Sequence, residues 1–396
     1  MPMTRYQAKA GGQRGTVFAH LPVLPARTAA GALAGDGVSG SMCHQIQPYK
    51  LGREESFTAG FFVDEKSPAG KCSIYGPYDI DAGRKRVMQS ARQFQSQQGM
   101  QVKDSALCGS CHTLYTHTRG PDGEVIGTLP EQAPYLEWKH SDYYQVQSCQ
   151  SCQMPQLKDN MTITSVLSQQ REDFSCHVFR GGNFFMPRIF HQNRAELGVT
   201  ALPREFVQAA RETANNLTGD SAELKISGVS IRSGRLEIDV SITNLAGHKL
   251  PTAYPSRRAW LQVTIKDRNE QTIFETGALR PDGSIAGNAN DLDPTRFEPH
   301  HQVIDEANQV QIYKAIMVAP DDQVTTGLLR AIRFMKDNRI LPQGFDKTSA
   351  NDDSAVKSKA EADTDFIGGS DKVRYSVPVD TSSRAFSIQA SYGISR

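Results

Sequence analysis

All seven cysteines, Cys43, Cys72, Cys108, Cys111, Cys149, Cys152 and Cys176, fall in the first 176 residues of a 396-residue chain, and none follows. A chain this long builds a core without disulfide staples, so the thiols point to chemistry confined to the N-terminal half. The hydropathy pattern divides the chain in the same way. Residues 36–200 hold the cysteines, most histidines and many turn signals such as Gly120-Pro121-Asp122-Gly123, with helical patterns only at Arg84–Gln98 and Tyr135–Tyr144. Residues 201–218 read as a helix with Pro203 near its start and Gly219 just past its end. Beyond them the period becomes two. Leu224–Val229, Leu236–Thr243, Ala259–Lys266, Gln271–Thr276, Val373–Pro378 and Ala385–Ser391 read as strands, and Asp346–Thr364 as an exposed loop. The expected fold is α+β: a poorly ordered segment 1–35, a loop-rich domain 36–218 with few short helices, and a β-sandwich-like domain 219–396.

Cys108-Gly-Ser-Cys111-His112 is the sharpest motif. Covalent haem attachment needs two thiols spaced to reach two vinyl groups and an adjacent imidazole to bind iron, and CxxCH supplies all three. Cys149-Gln-Ser-Cys152-Gln153 is the same motif without its histidine, and Cys43-His44 follows Gly40-Ser-Met as the motif without its first thiol. Cys108/Cys111 with Cys149/Cys152 also form the ligand set of a four-cysteine zinc site, although the 37 residues between the pairs exceed a compact ribbon. The plainer readings are a chance CxxC followed by His at Cys108–His112 and a free thiol next to a surface histidine at Cys43-His44. A second axial imidazole would come from His140, His177, His248 or His300, and His248 stands out because Gly247 and Pro251 hold its segment. Arg257 and Arg258, which follow, are placed to pair with haem propionates or to line a solvated strand edge.

The phrases LCGSCHTLYTH, LPEQAPYLEWKHSDY, SCQSCQMP, FRGGNFFM and AGHKLPTAYPSRRAWLQVTI run from about Gly37 to near the C-terminus. Together they resemble the bacterial multihaem c-type cytochromes of the cytochrome c-552/554-like domain type. The resemblance implies a loop-rich shell around closely spaced haems and a β-rich domain whose GHKLP-type His248 ligates a haem. It implies haem c at Cys108/Cys111/His112, with further haems at Cys149/Cys152 and Cys43/His44, between one and four in all. Gln153 stands where the pattern has a histidine, and Gly40 where it has a cysteine. The pattern also has a further CxxCH and a secretory signal upstream, and a longer last strand. The chain is accordingly expected to be truncated at both ends with two degenerate attachment sites.

The function expected is electron transfer with redox partner proteins, which needs no catalytic acid or base. The alternative is a cofactor-depleted or zinc-stabilised binding module of the same fold. A third reading is a redox enzyme acting on a small nitrogen or sulfur compound at an open axial position left by Gln153. Net charge is +1, from 44 basic and 43 acidic residues, which argues against nucleic acid or an anionic membrane as partner. No apolar run is long enough for a transmembrane helix. The polar start, broken by His20, Pro22, Pro25 and Arg27, shows no secretory signal. Covalent haem attachment nevertheless implies a periplasmic or extracellular protein.

Overall fold

The computed structural model describes residues 2–13, 28–35, 37–64, 67–68, 71–165, 167–380 and 385–395. It is mixed α/β, with few short helices and several sheets. The chain divides into two compact units: Met1–Cys111 with Ser148–Ala214, and His112–Gln147 with Asn215–Arg396. Residues 112–147, read from sequence as part of the 36–218 domain, therefore belong with the C-terminal strands. They form the hairpin Leu114–Arg119/Val125–Gln132 and the helix Pro134–Lys139, which is shorter than the expected Tyr135–Tyr144. Gly127 is required there, because a β carbon would lie 2.2 Å from Ile332 Cγ2.

The first unit is built from short pieces. Within 1–35, expected to lack regular structure, Pro2–Ala10 and Ala29–Gly35 are helical, while residues 14–27 lie outside the described residues. The helix expected over Arg84–Gln98 is Ala82–Arg92, capped by Asp81, whose carboxylate accepts the Arg84 N–H. It stops where Gln93 turns left-handed (φ 60°), and Phe94–Gln98 becomes a strand parallel to Cys72–Gly76. That long-range pairing overrides the local helical preference. The core here is small: Met42, Ile46 and Phe61, with Met3, Tyr6, Leu51, Val63, Leu107, Cys43 and Cys111 packed on it. Phe179, Phe185, Leu202 and Val207 stay exposed. This unit thus carries more apolar surface than its own side chains cover.

The second unit has a continuous core. A four-stranded sheet runs Val303–Ile304, Ser370–Pro378, Arg235–Asn244, Ala222–Arg232. A six-stranded sheet runs Thr272–Thr276, Arg258–Lys266, Ile312–Val318, Val324–Thr325, with Arg333–Asp337 also on Ile312–Val318 and Ser387–Ser395 on Arg258–Lys266. Arg235–Asn244 alternates buried and half-buried residues along its whole length, so Leu236, Ile238, Val240 and Ile242 enter the core. Leu261, Val263 and Ile265 of the other sheet meet them in the same cluster. Residues 346–364, expected as an exposed loop, instead cover this core, burying Ser354, Val356, Ala360 and Asp363. The backbones of Lys357 and Asp337 pair as an isolated bridge that anchors the tract.

Charged residues are built into this unit. Lys249 Nζ lies 2.8 Å from Asp337 Oδ2, Arg339 forks onto both oxygens of Asp337 at 2.8 and 2.7 Å, and Arg339 reaches Glu137 Oε1 at 3.0 Å. Glu137 Oε2 accepts the Lys249 N–H and the Thr252 hydroxyl. All four side chains are 7% exposed or less. Burial acts against the Asp337 charge, but Arg339 and Lys249 together hold its pKa well below the usual carboxylate range. The cluster pins the turn carrying His248-Lys249 to the helix Pro134–Lys139.

Candidate haem site

Each cysteine motif sits on a short helix. Cys43 ends the helix Gly40–Cys43 with His44 as its C-cap, Cys108, Cys111 and His112 lie on Ser105–His112, and Cys149 and Cys152 lie on Cys149–Gln153. At 3.6 residues per turn, positions i, i+3 and i+4 share a helix face, so the CxxCH spacing sets two thiols and an imidazole side by side. Ser148 caps the third helix by accepting the Ser151 N–H at 3.2 Å. Gln153 stands where the imidazole of that motif would be, and its carbonyl accepts the Arg180 N–H at 2.8 Å. Gly40 has a helical backbone, and a β carbon there would meet nothing closer than His44 Cδ2 at 3.9 Å.

In the first unit His44 and His177 come together, with ring centroids 6.1 Å apart and planes tilted by 33°. His44 Nδ1 lies 2.6 Å from the Tyr75 carbonyl, so it carries the proton and donates, which leaves Nε2 as a free lone pair. His177 is favoured in its protonated form by the Ser175 backbone, but weakly. Its pKa is lowered, first by burial and then by His44, which keeps the ring neutral as a metal ligand requires. Phe179 packs edge-on against it, with centroids 5.8 Å apart.

In the second unit His112 keeps an exposed edge, yet desolvation of the rest of the ring, with Arg257 and His248 nearby, lowers its pKa against a hydrogen bond to Gln132. His248 Nδ1 lies 2.9 Å from the Lys249 carbonyl, so here too Nδ1 donates and Nε2 is free. Of the two arginines that follow, Arg257 is the one near His112. The Arg258 guanidinium is engaged by Asp291 and Ser395 on the strand edge. His140 reaches the Asp346 carbonyl at 2.9 Å and stacks edge-on against Phe345.

His300 is differently placed. Gln311 Oε1 accepts the His301 N–H and Asn338 Oδ1 accepts the Lys314 N–H, so both amide nitrogens face His300 Nδ1, at 2.9 and 3.1 Å. Nδ1 must therefore accept, and protonated Nε2 donates to Asp363 Oδ2 at 2.9 Å. Neither nitrogen has a lone pair left for a metal. Among the described residues, His300, Asp363 and Asp371 are a group of three potential metal ligands with ligand atoms all within 4.8 Å of one another. The tautomer just derived makes this group an internal polar network. The sulfurs of Cys108, Cys111, Cys149 and Cys152 form no such group.

The same network predicts a pH dependence. Burial lowers the pKa of His300 and of His301 from 6.5 to about 4, so the folded rings are neutral where the unfolded ones are protonated. Each then adds stability as pH rises from about 4 to 6.5. Burial raises Asp371 from 3.8 to about 7, against hydrogen bonds from Tyr313 and Gln311, so it stays protonated in the fold where the unfolded carboxyl is ionised. It removes stability as pH rises from 3.8 to 7. Asp371→Asn is expected to steepen the gain in urea midpoint between about pH 4 and 6.5 and to raise the midpoint at about pH 8; an unchanged profile would refute the assignment.

Sequence reasoning passed over Ser105, Gln150 and His191. Ser105 Oγ accepts the Cys149 N–H at 2.9 Å, and Gln150 Nε2 reaches the Asp104 carbonyl at 2.7 Å, joining two cysteine helices. His191 has a buried Nδ1 with no hydrogen-bond partner. Small polar residues between cysteines carry no pattern that would have singled them out.

The structure is a mixed α/β protein whose cysteine motifs lie on short helices. No family model matches the sequence, and no curated protein matches it. Among solved structures, a penta-haem cytochrome c552 from Thermochromatium tepidum is similar over 89% of this chain and 68% of that chain, at 13% identity and a TM-score of 0.47. No described helix is long and apolar enough to cross a membrane.

Proposed function

We propose that the protein transfers electrons through covalently attached haem c, held at Cys108, Cys111 and His112 and at a second position by Cys43 between His44 and His177. The observation that carries this is the His44–His177 pair. Two imidazoles that would share one iron, at about 2.0 Å per bond, would have ring centres roughly 6 Å apart. The observed separation is 6.1 Å. His44 also donates its other ring N–H to a backbone carbonyl, the arrangement that fixes the tautomer of a ligating histidine.

The residues present fit the group. Cys108, Cys111 and His112 share a helix face, and the first unit exposes apolar side chains that a porphyrin would cover. At Cys149/Cys152 the two thiols remain but Gln153 offers no imidazole. His248, whose Nε2 is free near His112, would be the second imidazole for the iron that His112 would hold. Bound haem supplies reversible one-electron chemistry; the chain supplies attachment, axial nitrogens and burial, which set the potential. Attachment of this kind takes place outside the cytoplasm, so the protein is assigned to the periplasm or the extracellular space, where redox proteins are its partners.

The test is co-expression of an exported full-length chain with a cytochrome c maturation system, followed by a haem-stained denaturing gel and a pyridine haemochrome. At least one covalent haem per chain is expected, and loss of one equivalent in Cys108→Ser/Cys111→Ser. A chain that takes up no covalent haem would end the proposal.

A further inference from the structure

The starts of the helices Ser105–His112 and Cys149–Gln153 are bound together within the first unit. Ser105 Oγ accepts the Cys149 N–H at 2.9 Å, and Gln150 Nε2 donates to the carbonyls of Asp104 at 2.7 Å and Val102 at 3.3 Å. Ser105 and Cys108 lie three residues apart on one helix face, so this clamp sets Cys149 beside Cys108 and brings together thiols from two different attachment motifs. Neither residue is fully buried.

We propose that, before haem is attached, Cys108 and Cys149 form a redox-active pair that closes to a disulfide bridging the two motifs. Cys149 is pulled below the usual thiol value, first by Cys108 and then by Ser105, against burial, which makes it the thiol that ionises first. Cys108 is pushed well up, first by Cys149 and then by burial, and stays protonated. Cys149 is thus the attacking sulfur.

A small disulfide such as oxidised glutathione is the oxidant. The Cys149 thiolate attacks one of its sulfurs, forming a mixed disulfide and releasing one glutathione thiolate. Cys108 then loses its proton to solvent and attacks the Cys149 sulfur, which closes the protein disulfide and expels the second glutathione thiolate. Two protein thiols are oxidised, and one glutathione disulfide is reduced to two thiols. The consequence for function rests on the haem proposal. While the bridge is closed, the Cys108/Cys111 motif does not offer two free thiols, so attachment there waits on reduction.

Full-length chain made without haem is equilibrated with excess oxidised glutathione at neutral pH, alkylated and mapped by non-reducing peptide fragmentation. The dominant link expected is Cys108–Cys149, retained in Cys152→Ser and lost in Cys149→Ser. Dominant Cys108–Cys111, Cys149–Cys152 or Cys43–Cys111 links, or no link, would overturn the pair. The two proposals fail separately. A mapped Cys108–Cys149 link in a chain that takes up no haem after reduction sinks the haem reading alone. Haem uptake by a chain that forms only links within a motif sinks this pair alone.

Discussion

Haem-loaded protein carrying His177→Ala is expected to turn one haem per chain from low-spin to high-spin and, once reduced, to bind one equivalent of carbon monoxide. The expectation follows from the 6.1 Å separation of His44 and His177 and from the free nitrogen that the His44 hydrogen bond leaves. Removing one imidazole opens one axial position without touching Cys43, so covalent haem content should not fall. His117→Ala supplies the comparison. That ring is exposed and meets only the Thr128 hydroxyl, at 3.0 Å, among the hydrogen bonds described for it, so its loss leaves the spectrum unchanged. An all low-spin spectrum in His177→Ala, with no carbon monoxide uptake, removes His177 from the ligand set.

The second large effect concerns stability. Asp337→Ala is expected to destabilise the second unit by about 3–5 kcal/mol, because Lys249 and Arg339 would be left as buried cations with Glu137 as their remaining counter-charge. Urea unfolding followed by tryptophan fluorescence measures it, and Trp260 in this unit's core reports directly. Lys249→Met should cost less, since it removes one cation and leaves Asp337 paired with Arg339. Equal and small losses in both variants would show that the cluster is solvated in solution.

Which features could be read from sequence depended on how far apart their partners lie. The strand Arg235–Asn244 was readable because one face meets the core and the other does not, and the alternation is written in adjacent residues. Ile312–Val318 was not, because all seven of its residues are buried and the run shows no period. The end of the helix at Arg92 was hidden for a similar reason, since it is set by pairing of Phe94–Gln98 with Cys72–Gly76. At the site, CxxCH spacing is local and was visible at once. The partner of His44 was one name among several, because folding brings it in from a distant segment. Lys249, Asp337, Arg339 and Glu137 share no local pattern, and only the fold shows that they neutralise one another.

The short helix Gly40–Cys43 has a further consequence. Its backbone already has the form of an attachment motif, and the space beside Gly40 is open out to 3.9 Å. A thiol at that position would need no movement of the chain, only a different side chain. On the haem proposal, a single codon therefore separates one anchoring bond from two at this motif. That holds for as long as His44 and its carbonyl partner at Tyr75 stay in place.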